Sequence, residues 1–143
     1  MKQVFYCGMI LIVLMAVGCG RNAKVTGKVT FPDGSPLTVG KVVFETESFV
    51  ATGPLLPDGS YTLGSIKAKD GVPPGTYRVA IAGAMQAGAT KNMTAGSGNV
   101  STTVPMTFYS PAVAKKYTSA ETSGITCEVK KSMTFDFQVE PPN

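Results

Sequence analysis

The sequence predicts an all-β fold, an antiparallel β-sandwich of about seven short strands. Three observations predict it. Apolar and polar residues alternate over short stretches, the period of a strand with one wet face. Those stretches are parted by Gly, Pro and Asp turns. After residue 20 almost no helical period appears. A small barrel has the same periods and stays open as the alternative.

The first stretch is a leader rather than a strand. Residues 4–18 are almost unbroken apolar, and Lys2 is the only charge before residue 21. A helix of that length reaches about 22 Å at ~1.5 Å per residue. The hydrocarbon core of a bilayer is ~30 Å thick, so a cleaved secretory signal is the better reading than a permanent span. The stretch ends Ala16-Val17-Gly18-Cys19. This resembles the lipobox of bacterial lipoproteins, with Ala16 where the family usually carries Leu or another larger aliphatic. The resemblance implies cleavage between Gly18 and Cys19 and attachment of a diacylglyceryl group, carrying palmitate-type chains, to the Cys19 sulfur as a thioether. Residues 1–18 are then a lipoprotein signal peptide and 19–23 a lipidated tether. Two or more acyl chains anchor stably, at about 0.8 kcal/mol per buried CH₂. By the same resemblance to bacterial lipoproteins, Gly20 rather than Asp after the Cys implies the outer membrane or cell surface rather than the inner membrane.

Cleavage leaves roughly 125 of the 143 residues, enough for one domain with a single core. The net charge of +4 includes Lys2, and the basic residues are scattered. Only Lys115-Lys116 and Lys130-Lys131 are adjacent. A nucleic-acid partner needs a clustered basic face, so none is expected. Of three cysteines, Cys7 leaves with the leader and Cys19 is the lipid attachment. Cys127 is then alone and forms no intramolecular disulfide. It shares a face with Ile125 and Val129, the setting of a buried, inert thiol.

The mature chain reads in order as follows. Residues 24–31 make a strand in which Val25, Gly27, Val29 and Phe31 share a face. Pro32-Asp33-Gly34-Ser35-Pro36 is a turn: Pro presets φ, Asp bonds locally and Gly takes φ > 0. Residues 40–46 and 49–56 are the next strands. Pro57-Asp58-Gly59-Ser60 repeats the turn and leads into Tyr61-Thr62-Leu63. Val72-Pro73-Pro74-Gly75 launches a strand over 76–82. Residues 83–103, rich in Gly, Ala, Ser, Thr and Met, have no sustained period and read as a long mobile loop. Residues 104–111 hold a short edge segment around Phe108 and Tyr109, and 112–117 one helical turn. Residues 125–129 and 133–139 are the closing strands. In the last, Met133, Phe135, Phe137 and Val139 face one way.

Val25-Thr26-Gly27-Lys28-Val29, Pro32-Asp33-Gly34-Ser35-Pro36-Leu37 and Val42-Val43-Phe44 resemble the opening of carboxypeptidase regulatory-like domains. Asp58-Gly59-Ser60-Tyr61 and Val72-Pro73-Pro74-Gly75-Thr76-Tyr77 resemble their middle hairpin signals. The stretch from Lys116-Tyr117 to Gly124-Ile125 is similar to the ending of a group of small bacterial lipoproteins built on this domain. The resemblance covers most of residues 24–140 outside the 83–103 loop. It implies a transthyretin-like (prealbumin-like) β-sandwich with an extracytoplasmic structural, adhesive or ligand-binding role. It brings no catalytic residues and no cofactor.

The residues point the same way. There is no His to act as base for a nucleophile or to complete a zinc site. No local spacing singles out a carboxylate pair. Asp33 and Asp58 are explained by their turns, without a metal. An enzyme is therefore not expected. Tyr109 and Tyr117 are the candidate ligand surface, either exposed for sugar stacking or plugging the ends of the sandwich. The expected function is a lipid-anchored, non-catalytic envelope protein. Its alternatives are a carbohydrate- or peptidoglycan-binding module and an accessory subunit of an envelope complex.

Overall fold

The computed structural model describes residues 22–65, 70–97 and 100–143. The leader, the cleavage site and Cys19 lie outside the described residues. Ten strand segments follow one another: β1 (Val25–Thr30), β2 (Lys41–Glu45), β3 (Val50–Pro54), β4 (Ser60–Thr62), β5 (Gly75–Ala82), β6 (Met85–Ser97), β7 (Val100–Pro111), β8 (Ile125–Val129), β9 (Met133–Thr134) and β10 (Phe137–Gln138). A 3₁₀ turn, Lys115–Thr118, stands where one helical turn is expected.

Two sheets form the sandwich. One has the order β3-β2-β5-β8, antiparallel throughout. The other centres on β1, with β4 antiparallel on one side and β9 and β10 parallel on the other. The alternation seen in the sequence sets the layers. Val42 and Phe44, Tyr77, Val79 and Ile81, and Cys127 and Val129 point inward from one sheet. Val25, Val29 and Tyr61 meet them from the other. Burying each such side chain contributes about 1.5–3 kcal/mol. Phe44 is the hub of the aromatic packing. Its ring centroid lies 5.8 Å from Tyr77, 6.0 Å from Phe135 and 6.4 Å from Tyr61.

The sheets are stitched at one corner, where Thr52 and Gly64 exchange backbone bonds of 2.9 and 3.0 Å. Both Pro-Asp-Gly-Ser segments are turns of one design. Gly34 and Gly59 take φ of 85° and 78°. The Asp33 carboxylate accepts from the Ser35 N–H (2.9 Å) and hydroxyl (2.6 Å), and Asp58 accepts likewise from Ser60 (3.0 and 2.6 Å).

The closing strand departs from the antiparallel expectation. Residues 133–139 keep their predicted facing, with Val139 buried, Met133, Phe135 and Phe137 half-buried and Asp136 exposed. The chain leaves one sheet at Val129 and re-enters the other at Met133, and this crossing runs it parallel to β1. β9 and β10 are one strand parted in the middle. Partners across the seam stay 108 residues apart on both sides of the break. At the break the Asp136 side chain accepts the Lys28 N–H at 2.7 Å, in place of a backbone carbonyl.

The larger correction concerns residues 83–103. They are not an irregular loop: β6 and β7 pair from Met85↔Pro111 to Ser97↔Val100 as one long hairpin. The short edge segment expected over 104–111 is the second half of this hairpin. The sequence period is weak here because neither strand packs on the sandwich core, so no buried face enforces alternation.

Candidate functional site

The segment ahead of β1 joins the sandwich at Ala23. Its N–H bonds Val72 O at 2.7 Å, and Val72 N–H returns to Ala23 O at 2.9 Å. Gly71, at φ 83°, permits this approach, since a Cβ there would sit 2.6 Å from Ala23 O. Asn22 donates to Asp70 O at 3.3 Å, and the Asp70 carboxylate accepts from the Ser65 N–H at 2.6 Å. From Cys19 to Ala23 is four residues. Covalent geometry limits their reach to roughly 14 Å.

The two candidate tyrosines part company. Tyr117 is 6 % exposed and packs into the core from the 3₁₀ turn. Lys116 Nζ lies 4.8 Å from its ring centroid and 2.7 Å from Glu140. Tyr117 is therefore part of the core and not of an exposed ligand surface. Tyr109 is 65 % exposed, on the hairpin. The two form no common platform.

Among the described residues, six of the eight exposed large apolar side chains lie on the hairpin. All of the described side chains from Met85 to Pro111 are exposed. Thr90 and Thr107 hydroxyls meet at 3.1 Å, and Thr94 and Thr103 at 3.2 Å, which fixes one face. Alternation places Asn92, Pro105 and Tyr109 on that face as well. The opposite face carries Met93, Ala95, Val104, Met106 and Phe108, with Lys91 beside Met106 at mid-length and Thr102 beside Ala95. Met93, Val104, Met106 and Phe108 are each about half exposed. The arm is thus two-faced, threonine-rich on one side and apolar on the other. No third strand pairs with either edge among the described residues. The register shifts by one residue between Ala87 and Thr90, and beside this shift Gly88, Ala89, Lys91, Phe108, Tyr109 and Ser110 surround an open recess of about 330 Å³.

The arm is rooted at the end of the sandwich opposite Ala23. Ala112 N–H bonds Ala84 O at 2.8 Å. Gln86 and Ala112 share an open recess with Phe31, Pro32 and Asp33, which follow the far end of β1 from Ala23.

Little else resembles a reactive site. Cys127 is buried, and burial pushes its thiol above the usual range. Burial likewise raises Tyr61, whose hydroxyl donates to Phe135 O at 2.6 Å. Asp33 and Asp58 are held below the ordinary carboxylate value by their serine hydrogen bonds. Among the described residues no three Asp, Glu or Cys side chains converge as a metal site. The recess beside the β2–β3 turn, lined by Glu45, Glu47 and Arg78, is shallow and of mixed charge.

Sequence reasoning missed Met93, Val104, Met106 and Phe108 as a set. The signal was present in β7, where Val104, Met106 and Phe108 alternate with Pro105, Thr107 and Tyr109. It was masked in β6 by Gly, Ala and Asn.

Comparison with known proteins adds a single solved structure. No family model matches the chain, and no curated protein matches it. The chain is similar to a DUF3823 family protein from Bacteroides ovatus, at 17% identity and a TM-score of 0.43. The match covers 84% of this chain and 45% of that one, so the chain spans less than half of that protein's length.

Proposed function

We propose that this chain is a lipid-anchored envelope protein of the outer membrane or cell surface, and that its sandwich works without catalysis as an accessory subunit of an envelope protein complex. The observation that carries the reading is the β6–β7 arm. It combines an exposed apolar stripe with two unpaired strand edges, and natural proteins rarely leave either uncovered without a partner. The lipobox-like Ala16-Val17-Gly18-Cys19 supports the anchor. A tether of four residues would hold the sandwich close to the bilayer, with the arm rooted at its far end.

The test is the mass of the mature N-terminal peptide from producing cells, together with membrane fractionation. A chain that begins at acylated Cys19 supports the reading. An uncleaved Met1, or an unacylated Cys19, refutes the anchor. Cys19→Ser is expected to leave the leader attached and to block acylation.

A carbohydrate- or peptidoglycan-binding module is the second reading. Tyr109 favours it, as an exposed ring beside a recess at the arm root. Binding to isolated envelope glycan that Tyr109→Ala abolishes would raise this reading above the first.

A further inference from the structure

We infer that the β6–β7 arm is a plug, held inside a slot of a different protein that encloses it on both faces. One wall of that slot is apolar and the other hydrogen-bonding. The inference deepens the accessory-subunit reading and rests on it, but it does not depend on the lipid.

Size decides between the possible occupants. β6 has 13 residues and β7 has 12. At ~3.4 Å per residue and ~4.8 Å between strands, each face is roughly 40 Å by 10 Å, or about 400 Å². A second copy docked face to face would bury roughly 800 Å² in total, below the ~1,200 Å² of a stable specific interface. A slot that covers both faces buries roughly 1,600 Å², the standard size. The second face is also unfit for an apolar self-contact, because it presents Thr90, Asn92, Thr94, Thr103 and Thr107. Those side chains require partners that donate and accept hydrogen bonds.

Stability argues the same way. A lone two-stranded hairpin is marginal in water. Among the described residues this one gets no third strand, and its described side chains are exposed along its length. Enclosure supplies both. The apolar face suits a fitted wall, since Met93 and Met106 adapt their shape to irregular surfaces. Lys91 is the only charge on the arm; it stands opposite Met106 halfway along β6, an outer edge of the hairpin, where its long stem can carry the ammonium to the wet rim of the apolar face.

Charge and position also speak against a lipid surface as the occupant. A membrane-seated hairpin would bury one face and leave the other in water, and basic residues would flank the apolar stripe. Only Lys91 is basic here, and it stands within the apolar face opposite Met106 rather than on its flanks.

The experiment places a benzoylphenylalanine photo-cross-linker at Met93, on the apolar face, and separately at Thr103, on the threonine face, of the full-length chain in intact producing cells. Lys41, on the sandwich, is the control position. The expected result is one and the same protein adduct from both arm positions and none from Lys41. Met106→Lys should lower the yield from both positions about tenfold, the effect of a buried interface residue. Met106 is exposed, so the sandwich folds in that variant, and a second variant, Thr103→Lys, tests the other wall. An adduct of twice the chain mass overturns the slot in favour of a second copy. An adduct from Met93 alone overturns it in favour of one-faced docking. Lipid or glycan adducts, or none, overturn it outright. The N-terminal peptide mass from the same cells reports separately on the anchor, so the two readings fail by different signals.

Discussion

The backbone N–H of Lys28 is bonded to the side chain of Asp136, at 2.7 Å and across 108 residues of chain. This bond stands at the one place where the parallel ladder between the first and last strands opens. The carboxylate stands in for a carbonyl and leaves the register unbroken. Asp136→Ala is expected to cost about 1 kcal/mol, the net worth of one hydrogen bond. Asp136→Asn keeps an acceptor oxygen and should lose less. Urea midpoints of the two variants, at equal m-value, make the comparison.

Gly27 lies beside that opening. A Cβ on it would overlap the Phe135 carbonyl oxygen, which also accepts the Tyr61 hydroxyl, and would stand 2.9 Å from the Tyr61 ring. Backbone and core would both have to move. Gly27→Ala is expected to destabilise by about 3 kcal/mol or more. Gly34 has φ of 85° but nothing within 4 Å. Gly34→Ala should therefore cost only the left-handed strain, about 1 kcal/mol. Thermal unfolding would rank them, and equal losses would contradict the steric account.

The acid limb of stability should report the two Pro-Asp-Gly-Ser turns. The Ser35 and Ser60 hydrogen bonds lower the carboxyls of Asp33 and Asp58 from their ordinary 3.8. A depressed folded-state value means that the folded protein holds these protons less tightly than the unfolded chain. The associated stability is complete above about pH 4 to 5 and is lost as pH falls through the lowered values. Asp33→Asn with Asp58→Asn should flatten the dependence below pH 4 and leave its shape above pH 6 unchanged. Equilibrium unfolding from pH 2 to pH 7 checks this.

The arm and the sandwich should respond differently to damage. Phe44 is fully buried among Tyr61, Tyr77 and Phe135, and Phe44→Ala is expected to cost about 3–5 kcal/mol. Met106→Lys should change the unfolding midpoint by less than about 0.5 kcal/mol, because the side chain touches no core. In hydrogen exchange of the isolated protein, amides of β6 and β7 should exchange far faster than those of β5.

Much of this fold was legible because a core face writes itself into the sequence. Val25 and Val29, Val42 and Phe44, and Tyr77, Val79 and Ile81 alternate since each sits over the same core. The Pro-Asp-Gly-Ser turns are local, so their residues announce them. Two things were not legible. Strand direction depends on where the chain crosses between sheets, and nothing within residues 133–139 encodes Lys28 as the neighbour of Asp136. The arm was hidden because its strands are buried by nothing in this chain. Of the two tyrosines, Tyr109 stands exposed and Tyr117 is sealed by the sandwich. Their aromatic character alone did not distinguish those fates.

The seam between β1 and the final strand also sets a schedule. At about 5–20 residues per second of synthesis, the partner of β1 emerges roughly 5–20 s after β1 itself. Until then the lid formed by Phe135 and Phe137 is missing from the aromatic core, and the ends of the domain have not met. Closing so long a span adds entropy cost only slowly with length, but it makes assembly late and non-local. The domain stays threadable until residues 133–139 appear, and one of its last contacts to form fastens the first strand. A truncation of only the final ten residues would therefore strike at the beginning of the domain.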